Sequence, residues 1–102
     1  MDVNVTDRDG VVSVTLTGGI HVEQADELLD VFNSIIDKKP REVVIDLSDL
    51  KSITSSGIGK IVLLYKGLLK NKGKMRIEGV NDTIMQIFKI VKLDKLMEIK
   101  GV

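Results

Sequence analysis

Residues 52–60 read Ser-Ile-Thr-Ser-Ser-Gly-Ile-Gly-Lys: three consecutive hydroxyls, Thr54, Ser55 and Ser56, followed by two glycines that straddle one isoleucine. Hydroxyls in this setting can cap a helix, act as nucleophiles, bind phosphate or accept a phosphoryl group from another protein. Serine catalysis requires a histidine beside the serine and a carboxylate behind it. His21, the only histidine, could approach Ser55, since both lie near strand ends. No Gly-x-Ser-x-Gly elbow accompanies them, and the chain is short for an active-site cavity. Gly57-Ile58-Gly59-Lys60 faintly echoes a phosphate-binding loop. The leading glycine is absent, however, and Ile61 stands where Ser or Thr would hold Mg²⁺. The dinucleotide pattern fails because Val62 occupies its third glycine. His21 with Glu23, Asp26, Glu27 and Asp30 could be imagined around zinc, but acids in a first helical turn already answer the helix dipole. No metal, cofactor or enzymatic activity is expected.

These residues need a frame. Val3 and Val5, then Val12, Val14 and Leu16, alternate with period two around Asp7-Arg8-Asp9-Gly10 and predict a β-hairpin, closed by Gly18-Gly19. From Val22 the period lengthens. Val22, Ala25, Leu28, Leu29, Phe32, Ile35 and Ile36 form a helical stripe, ended by Lys38-Lys39-Pro40. The short apolar run Val43-Val44-Ile45-Asp46-Leu47 predicts a strand buried on both faces or nearly so. A second helix carries Ile58, Ile61, Val62, Leu64, Tyr65, Leu68 and Leu69 and stops at Asn71-Lys72-Gly73. Met75 and Ile77 mark a strand ending at Gly79, Asn81 is placed to cap a third helix, and Leu96–Ile99 reads as a final edge strand. The order ββαβαβαβ predicts a single α/β domain over residues 1–102. Its sheet is mixed but mostly parallel, with an N-terminal hairpin and helices against one face.

Composition narrows the partners. Fifteen basic and fifteen acidic residues balance, whereas nucleic-acid binders usually carry a basic excess. Phe32, Tyr65 and Phe88 are the only aromatics, too few for a base-stacking platform. Nucleic acid is not an expected partner. The chain has no cysteine, which excludes disulfides and thiolate sites. The N-terminal Met-Asp-Val-Asn-Val-Thr-Asp does not read as a signal peptide, and no segment suits a membrane span. A cytoplasmic protein without membrane insertion is expected.

The stretch Asp46-Leu47-Ser48-Asp49-Leu50-Lys51-Ser52-Ile53-Thr54-Ser55-Ser56-Gly57-Ile58-Gly59 closely resembles the signature of STAS domains, specifically bacterial anti-sigma factor antagonists. Their usual form is Asp-Leu-Ser, a short apolar stretch, then Asp-Ser-Ser/Thr-Gly-Leu-Gly. Leu64-Tyr65-Lys66, the strand in Lys72–Ile77, and Ile84, Ile87-Phe88 and Leu93 extend the likeness over essentially the whole chain. The resemblance implies a protein that, unphosphorylated, binds an anti-sigma factor with serine kinase activity and so releases a sigma factor. Phosphorylation of the first serine of Ser-Ser-Gly, here Ser55, then dissociates the complex, and a phosphatase resets it. Around Ser55, the resemblance implies partner contact for Thr54, Ser56, Gly57, Gly59, His21, Asp46 and Lys60. Ser56 or Thr54 is expected to help cap the helix, Gly57 and Gly59 to allow close packing and approach, and Lys60, Lys66 and Lys70 are candidates for an exposed strip facing the partner, the alternative being a merely solvated helix face.

Two positions depart from the family pattern. Thr54 replaces the usual Asp before the phosphorylatable serine, removing a carboxylate and adding a rival hydroxyl. Gly19-Ile20-His21 stands where many members have Gly-x-Leu-Asp, so His21 replaces an acid near the same surface and could make binding pH-dependent near neutrality. The alternative implied by Thr54 is a constitutive STAS interaction subunit of a transporter or another signalling complex, not regulated by phosphate.

Overall fold

The computed structural model describes all 102 residues. The hairpin pairs β1 (Asp2–Arg8) with β2 (Val11–Ile20) in antiparallel register, Val3 opposite Leu16 and Val5 opposite Val14. Asp9 and Gly10 form its two-residue turn, and both have positive φ, 55° and 82°. That is the twist a tight hairpin demands, and Asp-Gly supplies it at low cost.

The remaining elements are α1 (Val22–Asp37), β3 (Glu42–Asp46), β4 (Leu50–Ile53), α2 (Ser55–Lys70), β5 (Lys74–Val80), α3 (Asp82–Ile90), a 3₁₀ turn (Leu93–Lys95) and β6 (Glu98–Gly101). The main sheet runs β1-β2-β3-β5-β6, and every pairing beyond the hairpin is parallel. Its strand order advances in one direction only. Right-handed crossovers in a sheet that never reverses must all lie on one side, so α1, α2 and α3 share a face. Burial follows: Val12, Val14, Leu16, Val43, Ile45, Met75 and Ile77 point into one continuous core with Phe32, Ile61, Leu64 and Phe88.

This topology corrects the expectation of a doubly buried central strand. β3 alternates, with Val43 and Ile45 buried and Glu42, Val44 and Asp46 half-exposed on the open face. That face is polar. On it Arg76 reaches Glu42 and Glu78, each at 2.8 Å, and the hydrogen bond to Glu78 raises the Arg76 pKa above its ordinary value.

A second correction concerns residues 50–53. They form β4, an extra strand that makes the order ββαββαβαβ, pairing in parallel with the far end of β2 through Gly18, Gly19 and Ile20. Gly18-Gly19 therefore does not end β2. The register shifts between the two glycines, where Gly18 has φ 82°, and the bulge lets β2 serve a third neighbour. The last strand also falls later than expected, at Glu98–Gly101, because Leu93–Lys95 forms the 3₁₀ turn.

The helices end alike. Lys39, Lys72 and Lys92, the residues after each C-cap, all adopt positive φ. At the end of α2, Gly73 N–H bonds Leu68 O at 2.8 Å and Lys72 N–H bonds Leu69 O at 3.0 Å, a Schellman closure. Asn81 caps α3 as expected. Its Oδ1 accepts from Ile84 N–H at 2.9 Å, and its Nδ2 donates to Leu50 O at 3.2 Å. Both chain ends lie at the carboxyl edge of the parallel strands: Met1 sits beside Gly18, and Val102 N–H bonds Val80 O at 3.2 Å.

Candidate functional site

β2 and β4 end together, Ile20 paired with Ile53, and each turns directly into a helix. His21 is the N-cap of α1 and Thr54 the N-cap of α2, both with extended backbone. Two helix N-termini thus open side by side at the carboxyl edge of the sheet, the usual place for sites in parallel α/β folds. Thr54 N–H bonds Ile20 O at 2.9 Å and ties the two junctions together.

The hydroxyls divide their roles in a way the sequence does not reveal. Neither Thr54 nor Ser56 caps α2 through its side chain. Thr54 Oγ1 instead lies 3.4 Å from Ile20 O as donor. The first intrahelical bond runs from Ile58 N–H to Thr54 O at 3.0 Å, which leaves the preceding N–H groups as open donors. Ser55, the first helical residue, is exposed and its hydroxyl takes part in no hydrogen bond within the chain. Ser56 is half-buried.

His21 meets a different serine from the one considered for catalysis. Its Nε2 lies 2.7 Å from Ser52 Oγ, so it bridges α1 to β4, not to Ser55. Gly19 makes room for this pair, because a Cβ there would sit 2.8 Å from Ser52 Oγ and 2.9 Å from His21 Nε2. Gln24 Oε1 accepts from His21 N–H at 3.0 Å and closes the start of α1. No group of three His, Cys, Asp or Glu is arranged to hold a metal ion.

The two glycines of the motif differ. Gly57 is buried, and a Cβ there would lie 2.6 Å from Ile20 Cγ2 and 2.9 Å from Ile53 Cγ1. It lets α2 approach β2 and β4. Gly59 faces out, with nothing within 4 Å of an added Cβ. Lys60 is half-buried, whereas Lys66 and Lys70 are exposed. Asp46 is occupied locally: its Oδ1 accepts from Ser48 N–H at 2.9 Å and from Ser48 Oγ, a turn that Gly79 accommodates from β5.

Two apolar residues complete the surface. Val22 is 67% exposed and Leu63 47% exposed. Val22 was expected in the α1 core stripe. As the first helical residue it lies beyond the packed turn. Leu63 sits inside the run Ile61-Val62-Leu63-Leu64, where composition alone hides it. Its spacing shows it: Ser55, Gly59 and Leu63 are four apart and share one outward row.

The STAS domain model matches residues 2–101. An anti-sigma-B factor antagonist of Staphylococcus aureus is 27% identical over 99 residues, 97% of this chain and 92% of that protein. The crystal structure of an anti-sigma factor antagonist from Mycobacterium paratuberculosis superposes with a TM-score of 0.89 at 25% identity, covering 99% of this chain and 86% of that one. The Bacillus cell fate determinant SpoIIAA in its phosphorylated form shares the fold with a TM-score of 0.77 at 15% identity, over 96% and 90% of the two chains.

Proposed function

The chain belongs to the STAS domain family, and from that premise we propose that it is an anti-sigma factor antagonist: a non-enzymatic binding protein of the cytoplasm, switched off by phosphorylation at Ser55. One observation carries the reading. The exposed row Ser55–Gly59–Leu63, beside Val22, joins an uncommitted hydroxyl to apolar side chains that a partner would cover.

The physics of the switch follows from position. A phosphate adds about −1.5 to −2 charges at pH 7. At the first residue of a helix an anion is favoured by roughly 0.3–1 kcal/mol, so the fold tolerates it. Across an apolar interface the same dianion loses water without gaining a cation and costs several kcal/mol. Each 1.4 kcal/mol is about a tenfold loss of affinity. The modification therefore dissociates the complex and leaves the domain folded. The partner in this reading is an anti-sigma factor with serine kinase activity, and a phosphatase restores the hydroxyl. Thr54, Ser56, His21 and Lys60 flank the contact, and Gly59 admits a closely approaching backbone.

Intact-mass analysis of protein isolated from its host, with peptide mapping over residues 52–60, tests the site directly. Calorimetry with the anti-sigma factor tests the consequence: Ser55→Asp loses binding about a hundredfold or more, and Ser55→Ala retains it. Full binding by Ser55→Asp overturns the switch. No phosphate under any growth condition leaves a constitutive STAS interaction subunit, the reading Thr54 favours.

A further inference from the structure

The opposite edge of the sheet carries a cluster of basic residues. Residues 38–41 read Lys-Lys-Pro-Arg and residues 70–74 read Lys-Asn-Lys-Gly-Lys, so six of the fifteen basic residues fall in two short segments. The fold brings these segments together. Lys74 N–H bonds Arg41 O at 2.9 Å, Asn71 Nδ2 reaches Ile36 O at 3.5 Å, and Glu42 pairs with Lys74 in the β3–β5 register. Between them lies a cleft of about 460 Å³, lined by Lys39, Arg41, Lys72 and Lys74 with Val11, Pro40, Glu42 and Asn71.

None of the four cations is within ion-pair distance of a carboxylate, and the one acid in the cleft, Glu42, is held by Arg76 at 2.8 Å. Arg41 Nη2 also donates to Asp9 O at the hairpin turn, but four cations lining one cleft without a carboxylate ion pair still repel one another, which a bound anion relieves. Helix dipoles account for part of this, since cations suit helix C-termini. They do not account for Arg41 and Lys74, which flank strands. The helix-end carbonyls that would repel an anion are themselves engaged: Leu68 O and Leu69 O by the α2 closure, Ile36 O by Lys39 N–H and Asn71 Nδ2.

We infer that this cleft binds a small polyphosphorylated anion through its clustered phosphates. Its size suits one small ligand. Its lining holds no aromatic residue and Val11 as its one hydrophobic side chain, so phosphates and not a base or acyl group are recognised. It lies at the amino ends of β3 and β5, the far end of the sheet from Ser55, so its occupancy is independent of the switch.

The test is titration of the full chain with sodium tripolyphosphate by calorimetry and amide chemical shifts, at low salt where screening is weak. The expected result is saturable 1:1 binding, with shifts confined to residues 39–42 and 71–74. The double variant Lys72→Asn, Lys74→Gln weakens it about tenfold or more. Lys51→Gln with Lys100→Gln removes the same charge elsewhere and leaves it unchanged. Asn tolerates the left-handed backbone at position 72, and an unaltered Tm confirms that each variant is folded. No saturable binding, or an equal loss in the control pair, overturns the inference. Parallel titrations with ATP and with vesicles containing a phosphoinositide separate a soluble source of the phosphates from a lipid headgroup. Ser55→Asp leaves the affinity intact, so failure here and failure of the switch are read separately.

Discussion

Gly57 and Gly59 lie two residues apart in the same helix, yet alanine should act on them with opposite sign. Replacing a helical glycine with alanine gains about 0.8–1.0 kcal/mol, through lower backbone entropy in the unfolded chain. At Gly59 nothing lies within 4 Å of the added methyl, so the gain is kept, about 0.5–1 kcal/mol. For a domain of this size that raises Tm by about 3–6 °C. At Gly57 the same methyl meets Ile20 Cγ2 at 2.6 Å and Ile53 Cγ1 at 2.9 Å. Both isoleucines are buried and β-branched, 0% and 8% exposed, so neither swings aside. Overpacking of this kind costs typically 1–3 kcal/mol, and α2 must lift from β2 and β4. The net change at Gly57 is a loss of up to about 2 kcal/mol, and because the helix gain is common to both, the two variants should differ by the overpacking cost, roughly 1–3 kcal/mol. Urea unfolding followed by far-UV circular dichroism measures both. A destabilised Gly59→Ala, or a Gly57→Ala as stable as Gly59→Ala, would refute the division of roles between the glycines. In the antagonist reading, Gly59→Ala also weakens partner binding about fivefold or more while the free domain grows more stable. Stability and affinity moving in opposite directions is an outcome a purely structural glycine does not give.

Two further changes probe the helix ends. Asn81→Ala removes both the cap on Ile84 N–H and the tie to Leu50 O, and thermal unfolding should show a loss of about 1–2 kcal/mol. Lys92→Gly relieves a left-handed lysine at the end of α3 and should stabilise by up to about 1 kcal/mol in the same assay, since only glycine adopts that backbone freely.

Elements whose signal is local were legible. Asp9-Gly10 between alternating valines specifies its turn, Asn81 ahead of Ile84 specifies its cap, and the three helices follow from their apolar period. β4 was not legible, because Leu50-Lys51-Ser52-Ile53 is four residues long and owes its existence to the tail of β2, 32 to 33 positions earlier. Val44 misled for a different reason. An apolar run does not say whether its second face is covered, and here every crossover lies on the other side of the sheet. At the candidate site the motif marks the junction of β4 and α2, where the structure exposes Ser55 at the start of α2. It could not show that His21 pairs with Ser52, a contact across 31 positions, or that Asp46 spends its carboxylate on Ser48. Nor could it show the basic cleft, because two separate lysine-rich segments look like ordinary helix ends until β3 and β5 align them.

Both chain ends come to the carboxyl edge of the sheet, Met1 beside Gly18 and Val102 beside Val80. Anything fused to either end, whether an affinity tag, a dye or a tether, therefore projects from the edge that carries Ser55, His21 and Val22. In the antagonist reading, a bulky tag at either end competes sterically with partner docking, so tagged protein should bind its partner more weakly than the free domain. The same placement is useful to a spectroscopist. On the two readings proposed above, a fluorophore at either terminus should report a protein arriving at the Ser55 edge and stay silent when a small anion enters the cleft between Arg41 and Lys74.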